Sequence, residues 1–220
     1  MKGNYLNSSN FSLIVFDLDG VLADTISSWV YLHDHFGVNN DPAYYAYMRN
    51  EIDDHEFMQR DIGLWLNLKP KVHVSELIQV LNSVPLMPGF YQTMRVLKQR
   101  NIKAAIISAG LEQLANRIAK VGGIEHVMAN GLETDKNGWL TGNGILRVEL
   151  RNKGKVVKDL LQKLNLASEE VVAVGNGEID ITMFYESGLG IAFNPADDKI
   201  RKSADIIIEK KDLTEVLKFI

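Results

Sequence analysis

A doubly wound α/β fold, a Rossmann-like and mainly parallel sheet with an inserted helical subdomain, is what this 220-residue sequence predicts. Three observations carry that expectation. Short β-rich runs recur at 11–16, 103–108, 171–175, 189–193 and 205–209, most of them continuously apolar, as strands covered on both faces are. Helical patterns lie between them, with Leu114, Ala115, Ile118 and Ala119 in one and Val156, Val157, Leu160, Leu161 and Leu164 in another; strands alternating with helices imply a parallel sheet wrapped by helices. The stretch 25–85 breaks this rhythm. It has helical periodicity, no convincing strand, and 8 of the 18 aromatic residues, among them Trp29, Phe36, Phe57 and Trp65. The chain therefore divides into a core at 11–24 and 86–220, a helical subdomain at 25–85 and a flexible N-terminus at 1–10. Most of the subdomain's aromatics are expected to form its own core, with a few lining a pocket.

The first strand ends on two carboxylates, Asp17 and Asp19, in the run Phe16-Asp17-Leu18-Asp19-Gly20-Val21. Alternate residues of an extended segment point the same way, so the two acids converge on one ion or phosphate, and Gly20 lets the chain turn off the sheet. Unpaired they repel, and a divalent cation relieves that. A calcium loop does not fit, because Val21 stands where a third acid is needed and Ser28 where the closing glutamate belongs.

Composition narrows the partners. A hydrophobic fraction of 46% supports a buried core, and a net charge of -4 with scattered Lys and Arg gives no footprint for nucleic acid or acidic membranes. Cysteine is absent, which removes disulfides, thiolate nucleophiles and Cys-based zinc sites. No apolar stretch reaches the length of a membrane span, and residues 1–10 lack the apolar centre of a signal peptide; the expected location is cytoplasmic. The five histidines are read as satisfied or solvent-facing, since His33 and His35, two apart on a helix, cannot face one ligand.

Three further features fall at strand ends, where an open α/β sheet collects its ligand. Ser108, with the amides of Ala109 and Gly110, is placed to cradle an anion. Lys153 stands just before a helix and is placed to neutralise phosphate charge. The loop Gly175-Asn176-Gly177-Glu178-Ile179-Asp180 follows a buried strand, and Asn176 and Asp180 supply oxygens for an ion. The full glycine fingerprint of a dinucleotide site is missing after the first strand.

In order and spacing, these four elements resemble the haloacid dehalogenase superfamily of phosphohydrolases over nearly the whole chain. Within it, the C-terminal two-thirds is most similar to phosphoserine phosphatases, through Ile107-Ser108-Ala109-Gly110, Met128-Ala129-Asn130, Gly138-Trp139-Leu140-Thr141-Gly142, Lys153-Gly154, Ile181-Thr182-Met183-Phe184 and Gly190-Ile191-Ala192-Phe193. The resemblance implies that 25–85 is a cap and that the enzyme hydrolyses the phosphate ester of a small metabolite, with phosphoserine the best guess. It implies Asp17 as nucleophile, Asp19 as acid and base, and Ser108 and Lys153 as the grip on the phosphoryl oxygens. Magnesium would be held by Asp17, the Asp19 carbonyl, Asn176 and Asp180. The chain departs from the pattern at Asn176, where the superfamily has an aspartate, at Ile179, where phosphoserine phosphatases have asparagine, and at Ile26, where they have a glutamate. The cap arginine that would hold the substrate carboxylate is expected at Arg60 or Arg49. Two alternatives accompany the hydrolase: a catalytically impaired homologue that binds phosphate esters, suggested by Asn176, and a sugar-phosphate mutase sharing the first motif.

Overall fold

Strand β1 (Leu13–Phe16) is buried at all four positions, because it is the central strand of a seven-stranded sheet. The computed structural model describes residues 11–220; the expected flexible segment 1–10 lies outside them. The strands run in the order β4-β3-β2-β1-β5-β6-β7, with β2 at Lys103–Leu111, β3 at His126–Thr134, β4 at Leu140–Ile145, β5 at Val171–Gly175, β6 at Leu189–Phe193 and β7 at Ile206–Ile208. All neighbours are parallel except β3 and β4.

Side chains alternate between two cores, as a period of two requires. Ile14, Phe16, Ile106, Val172 and Val174 join one apolar cluster with Phe90, Leu97, Leu114 and Ile118, from α5 (Phe90–Gln99) and α6 (Glu112–Gly122). Leu13, Val15, Ile107, Val171 and Ala173 join the other with Val157, Leu160 and Leu161 of α7 (Lys153–Leu164) and Met183 of α8 (Ile181–Tyr185). Each such aliphatic side chain contributes about 1.5–3 kcal/mol by leaving water. Helix α9 (Asp198–Ser203) covers the same side through Ile200.

Between β1 and α5 the chain forms α1 (Ser28–Phe36), α2 (Asp41–Met48), α3 (Asp54–Leu68) and α4 (Val74–Leu81), without a strand. Ser27 caps α1 by accepting from the Val30 amide, and Gly37 ends it in the left-handed region at φ 66°. Trp65 stacks on Trp29 and on Phe36 at 5.8 Å in each case, so these aromatics do form the subdomain's core, while Tyr44 and Tyr45 are exposed. The two chain crossings lie side by side: the Asp24 amide donates to the Pro85 carbonyl and the Met87 amide to that of Leu22.

The sequence pattern missed β3 and β4. Their residues include His126, Asn130, Gly131, Gly142, Asn143 and Gly144, poor strand formers individually, and β4 alternates between half-buried and exposed. What holds it is tertiary: the hairpin leans on α3, where Met58 packs close against Gly144, and reaches the chain before α4, with the Leu140 amide donating to Val72 and the Val74 amide to Gly138. No helix among the described residues is long and apolar enough to cross a membrane.

Candidate active site

The C-terminal ends of β1, β2 and β5 meet where the strand order reverses, the crevice in which open α/β sheets bind ligands. Asp17 follows β1 directly, and its amide extends the ladder by donating to the Val174 carbonyl at 2.9 Å. Lys153, the first residue of α7, reaches it from the side: Nζ donates to Asp17 Oδ1 at 2.8 Å and to Asp180 Oδ1 at 2.6 Å, and all three residues are buried. The Gly154 amide, donating to Thr182 Oγ1, holds the start of this helix against α8.

Two carboxylates thus share one ammonium out of water. Burial, reinforced by the charge of Asp180 and only partly opposed by Lys153, raises the Asp17 carboxyl to about 7. Burial alone would lower Lys153, but the charges of Asp17 and Asp180 outweigh it and hold the ammonium above its ordinary value. Burial also raises Asp19, opposed by hydrogen bonds from Ser28. Both the Ser28 amide and its hydroxyl donate to Asp19 Oδ2, while Asp19 Oδ1 is buried with no hydrogen-bond partner among the described residues. An orphaned oxygen on a carboxyl biased toward protonation is equipped to carry a proton and deliver it.

Ser108 lies inside β2 rather than at its end, but the register with β3 breaks between Ser108 and Leu111. In that kink the Gly110 amide donates to Ser108 Oγ at 3.1 Å, leaving the hydroxyl proton for a ligand. A Cβ on Gly110 would stand 2.5 Å from Asp19 Oδ2 and 2.7 Å from Ser28 Oγ, so only glycine lets β2 approach the acid this closely. The Ala109 carbonyl is taken by Trp29 Nε1 and Asn130 Nδ2.

The structure places Asn176 and Asp180 differently from the simple expectation that both offer oxygens to an ion. Both Asp180 oxygens are engaged, Oδ1 by Lys153 and Oδ2 by the amides of Asn176 and Gly177; Asp180 shapes the loop and holds the lysine. Asn176 lies over Gly20, whose φ is +77° and whose missing Cβ would fall 2.0 Å from Asn176 Nδ2. Gly20 thus serves twice, by turning the chain and by admitting Asn176. Asn176 therefore stands over the turn that follows Asp17 and Asp19, where its amide oxygen, with the Asp17 carboxylate and loop carbonyls, is the kind of donor set magnesium accepts.

A cleft of about 1320 Å³ runs from these loops to the helical subdomain, lined by Gly20, Ala109 and Asn176 on one side and Tyr47, Phe57 and Asp61 on the other. Arg60 does not line it: its guanidinium pairs with Glu56 one turn away, at a separate surface depression. Arg49 pairs with Glu51 and is likewise outside. The cleft's own guanidinium belongs to Arg151, which lies 4.4 Å over the Tyr47 ring and donates to the Tyr47 carbonyl and to Asn50. Ile26 lines the mouth, 90% exposed. Sequence reasoning missed Ser28 and gave Asn130 no role of its own. Asn130 accepts from the amides of Arg147 and Val148 and donates to two carbonyls, fixing the loop that leads to Lys153; its only signal was the resembling string Met128-Ala129-Asn130.

The profile of haloacid dehalogenase-like hydrolases matches residues 14–184, a span that contains Asp17, Asp19, Ser108, Lys153 and Asp180. The chain belongs to that family. A phosphoserine phosphatase of Campylobacter jejuni subsp. doylei is 34% identical over 213 residues, covering 94% of this chain and 99% of the relative. That of Methanocaldococcus jannaschii is 31% identical over 79% of this chain and 80% of its own length. Among solved structures, a phospho-aspartyl intermediate analogue of phosphoserine phosphatase superposes with a TM-score of 0.81 at 28% identity, covering 96% of this chain and 99% of the other. The chain is accordingly a haloacid dehalogenase-like hydrolase of the phosphoric monoester class.

Proposed function

We propose that the protein is a magnesium-dependent phosphatase that hydrolyses a small phosphorylated metabolite, with phosphoserine as the first candidate, through an aspartyl-phosphate on Asp17. The observation that carries this reading is the pairing of Asp17 with Lys153 beside an Asp19 whose Oδ1 is orphaned. Lys153 fixes Asp17 Oδ1 and leaves the other oxygen to attack phosphorus in line. As the bond from phosphorus to the leaving oxygen breaks, Asp19 gives that oxygen its proton. Asp19, now ionised, takes a proton from water, the water oxygen bonds to phosphorus, and the Asp17–phosphorus bond breaks to release phosphate. Ser108 and Lys153 hold the equatorial oxygens, so much of the rate comes from positioning and charge. Asp17, Asn176 and the Asp19 carbonyl are the groups that would hold magnesium, which would supply charge neutralisation on the transferring phosphoryl group.

Phosphate release from a panel of esters, with and without magnesium and with Asp17→Asn as the control, tests the reading. Magnesium-dependent release that the variant lacks supports it. Tight binding without release would favour the impaired homologue, and isomer exchange the mutase.

A further inference from the structure

The cleft wall opposite the catalytic loops holds a buried carboxylate with no cation matched to it among the described residues. Asp61 is 3% exposed yet lines the cleft. Asn40 Nδ2 donates to its Oδ1 at 2.7 Å, and His33 Nε2 stands 3.5 Å from the same oxygen. His33 brings no positive charge: Trp65 Nε1 donates to His33 Nδ1 at 2.9 Å, so that nitrogen carries no proton and the single ring proton sits on Nε2. This Nε2 has no hydrogen-bond partner of its own among the described residues. Asn40 thus orients the carboxylate, and His33, fixed by Trp65, stands beside it without neutralising it.

Every other charged group that lines this side is already committed. Asp54 accepts from the Tyr47 hydroxyl and the Leu150 amide. Lys211 pairs with Asp24 and Arg151 is spent on α2. An unmatched carboxylate held out of water is costly unless a cation meets it, and here the open side is the substrate cleft, where Tyr44, Phe57 and Trp29 add aromatic surface of the kind that receives ammonium groups. We propose that Asp61 is the residue that reads the leaving group, and that the substrate class is the phosphate monoester of an amino alcohol, recognised by its ammonium and not by a carboxylate. This rests on the phosphatase reading above and narrows it, because no uncommitted guanidinium faces the cleft among the described residues.

The experiment compares O-phosphoserine, phosphoethanolamine and ethyl phosphate, with p-nitrophenyl phosphate as a general ester. Phosphoethanolamine and ethyl phosphate differ only in the ammonium. The wild-type protein is expected to favour both amino esters over ethyl phosphate by about tenfold or more in kcat/KM, since one charge-assisted hydrogen bond is worth at least that factor. Asp61→Asn, which keeps the shape and an acceptor for Asn40, is expected to raise KM for the two amino esters about tenfold with little change in kcat, and to shift KM for ethyl phosphate far less. Equal kcat/KM for phosphoethanolamine and ethyl phosphate in the wild type, or equal shifts in the variant, would make Asp61 a structural residue only and overturn the proposal. Release from none of the four esters sinks the phosphatase reading instead. In that case calorimetric binding of phosphoethanolamine against ethyl phosphate by wild type and Asp61→Asn still decides whether the carboxylate reads an ammonium.

Discussion

Ser28 ties its hydroxyl and its amide to one oxygen of Asp19, each at 2.9 Å, and the same hydroxyl accepts from the Leu111 amide. One buried serine in the first turn of α1 thereby joins the helical subdomain, the first motif and the kinked end of β2. Ser28→Ala leaves the Leu111 amide unpaired and removes one of two donors to Asp19, a loss of about 1–3 kcal/mol. The expected outcome is a fall in kcat of about tenfold with KM little changed, read by steady-state phosphate release. Asp19→Asn should be nearly inactive.

Asp17→Asn is expected to abolish turnover and to make the fold more stable. An amide cannot form the phosphoenzyme, yet it relieves a buried carboxylate that competes with Asp180 for one lysine. For a chain of this size the midpoint of thermal unfolding should rise by about 2–4 °C for each kcal/mol relieved. Calorimetry at pH 8 checks it, and a lower midpoint would show that the Lys153 bond outweighs the desolvation.

Lys153 and Lys155 stand two residues apart, one buried at the centre of the site and the other exposed. Lys153→Ala should cost about a hundredfold in rate, as removal of a donor that strengthens in the transition state does, and should also destabilise the fold by leaving Asp17 and Asp180 without their cation. Lys155→Ala should change neither. Similar small losses at both would remove Lys153 from the phosphate grip.

The pH dependence follows from the raised Asp17 carboxyl. The nucleophile acts only when ionised, so at limiting magnesium kcat/KM should fall with decreasing pH below about 7. Saturating magnesium favours the carboxylate and should move that limb to lower pH. For stability the sign is opposite: the folded value exceeds the ordinary 3.8, so the contribution is complete below 3.8 and is lost as the pH rises through about 7. Profiles at two magnesium concentrations, with a pH series of thermal midpoints, check both halves. A limb that magnesium does not move belongs to another group.

Asn176→Asp is expected to raise magnesium affinity and, at limiting metal, turnover, because it adds a negative charge where only Asp17 now offers one. Isothermal titration with magnesium on protein whose mass confirms the intended residue reads the effect. Asn-Gly sequences deamidate, so wild type must be checked in the same way. Unchanged affinity would place the metal elsewhere.

What the sequence revealed and what it hid follow the range of the interactions involved. The central strands were legible because burial on both faces writes a continuous apolar run; Asp17 and Lys153 because each sits at an element boundary; and Asp19 and Ser108 because each is a polar residue in or just after such an apolar run. The hairpin of β3 and β4 was not, since its residues carry little strand preference and are held by α3. Nor was Ser28, whose neighbours in space, Asp19 and Leu111, are 9 and 83 residues away in the chain. Arg60 was the expected reader of substrate charge because of its type and place, but a helix turns, and its side chain finds Glu56 on the outer surface while Asp61, the next residue, faces inward. One residue along a helix is about 100° of rotation, which no single position in a sequence announces.

The hairpin carries a mechanical consequence. An inserted unit joined to its host only by the paired crossings at 22–24 and 85–87 would swing on them like a door. Here the far side is fastened as well, since β4 leans on α3 and exchanges backbone hydrogen bonds with residues 72–74. The helical subdomain is therefore a lintel resting on two posts, and the cleft, with the exposed Ile26 in its lining, lies between it and the loops at the strand ends. A cut in the linker at 25–27 would leave the beam in place; weakening the Met58 contact with Gly144 would loosen it.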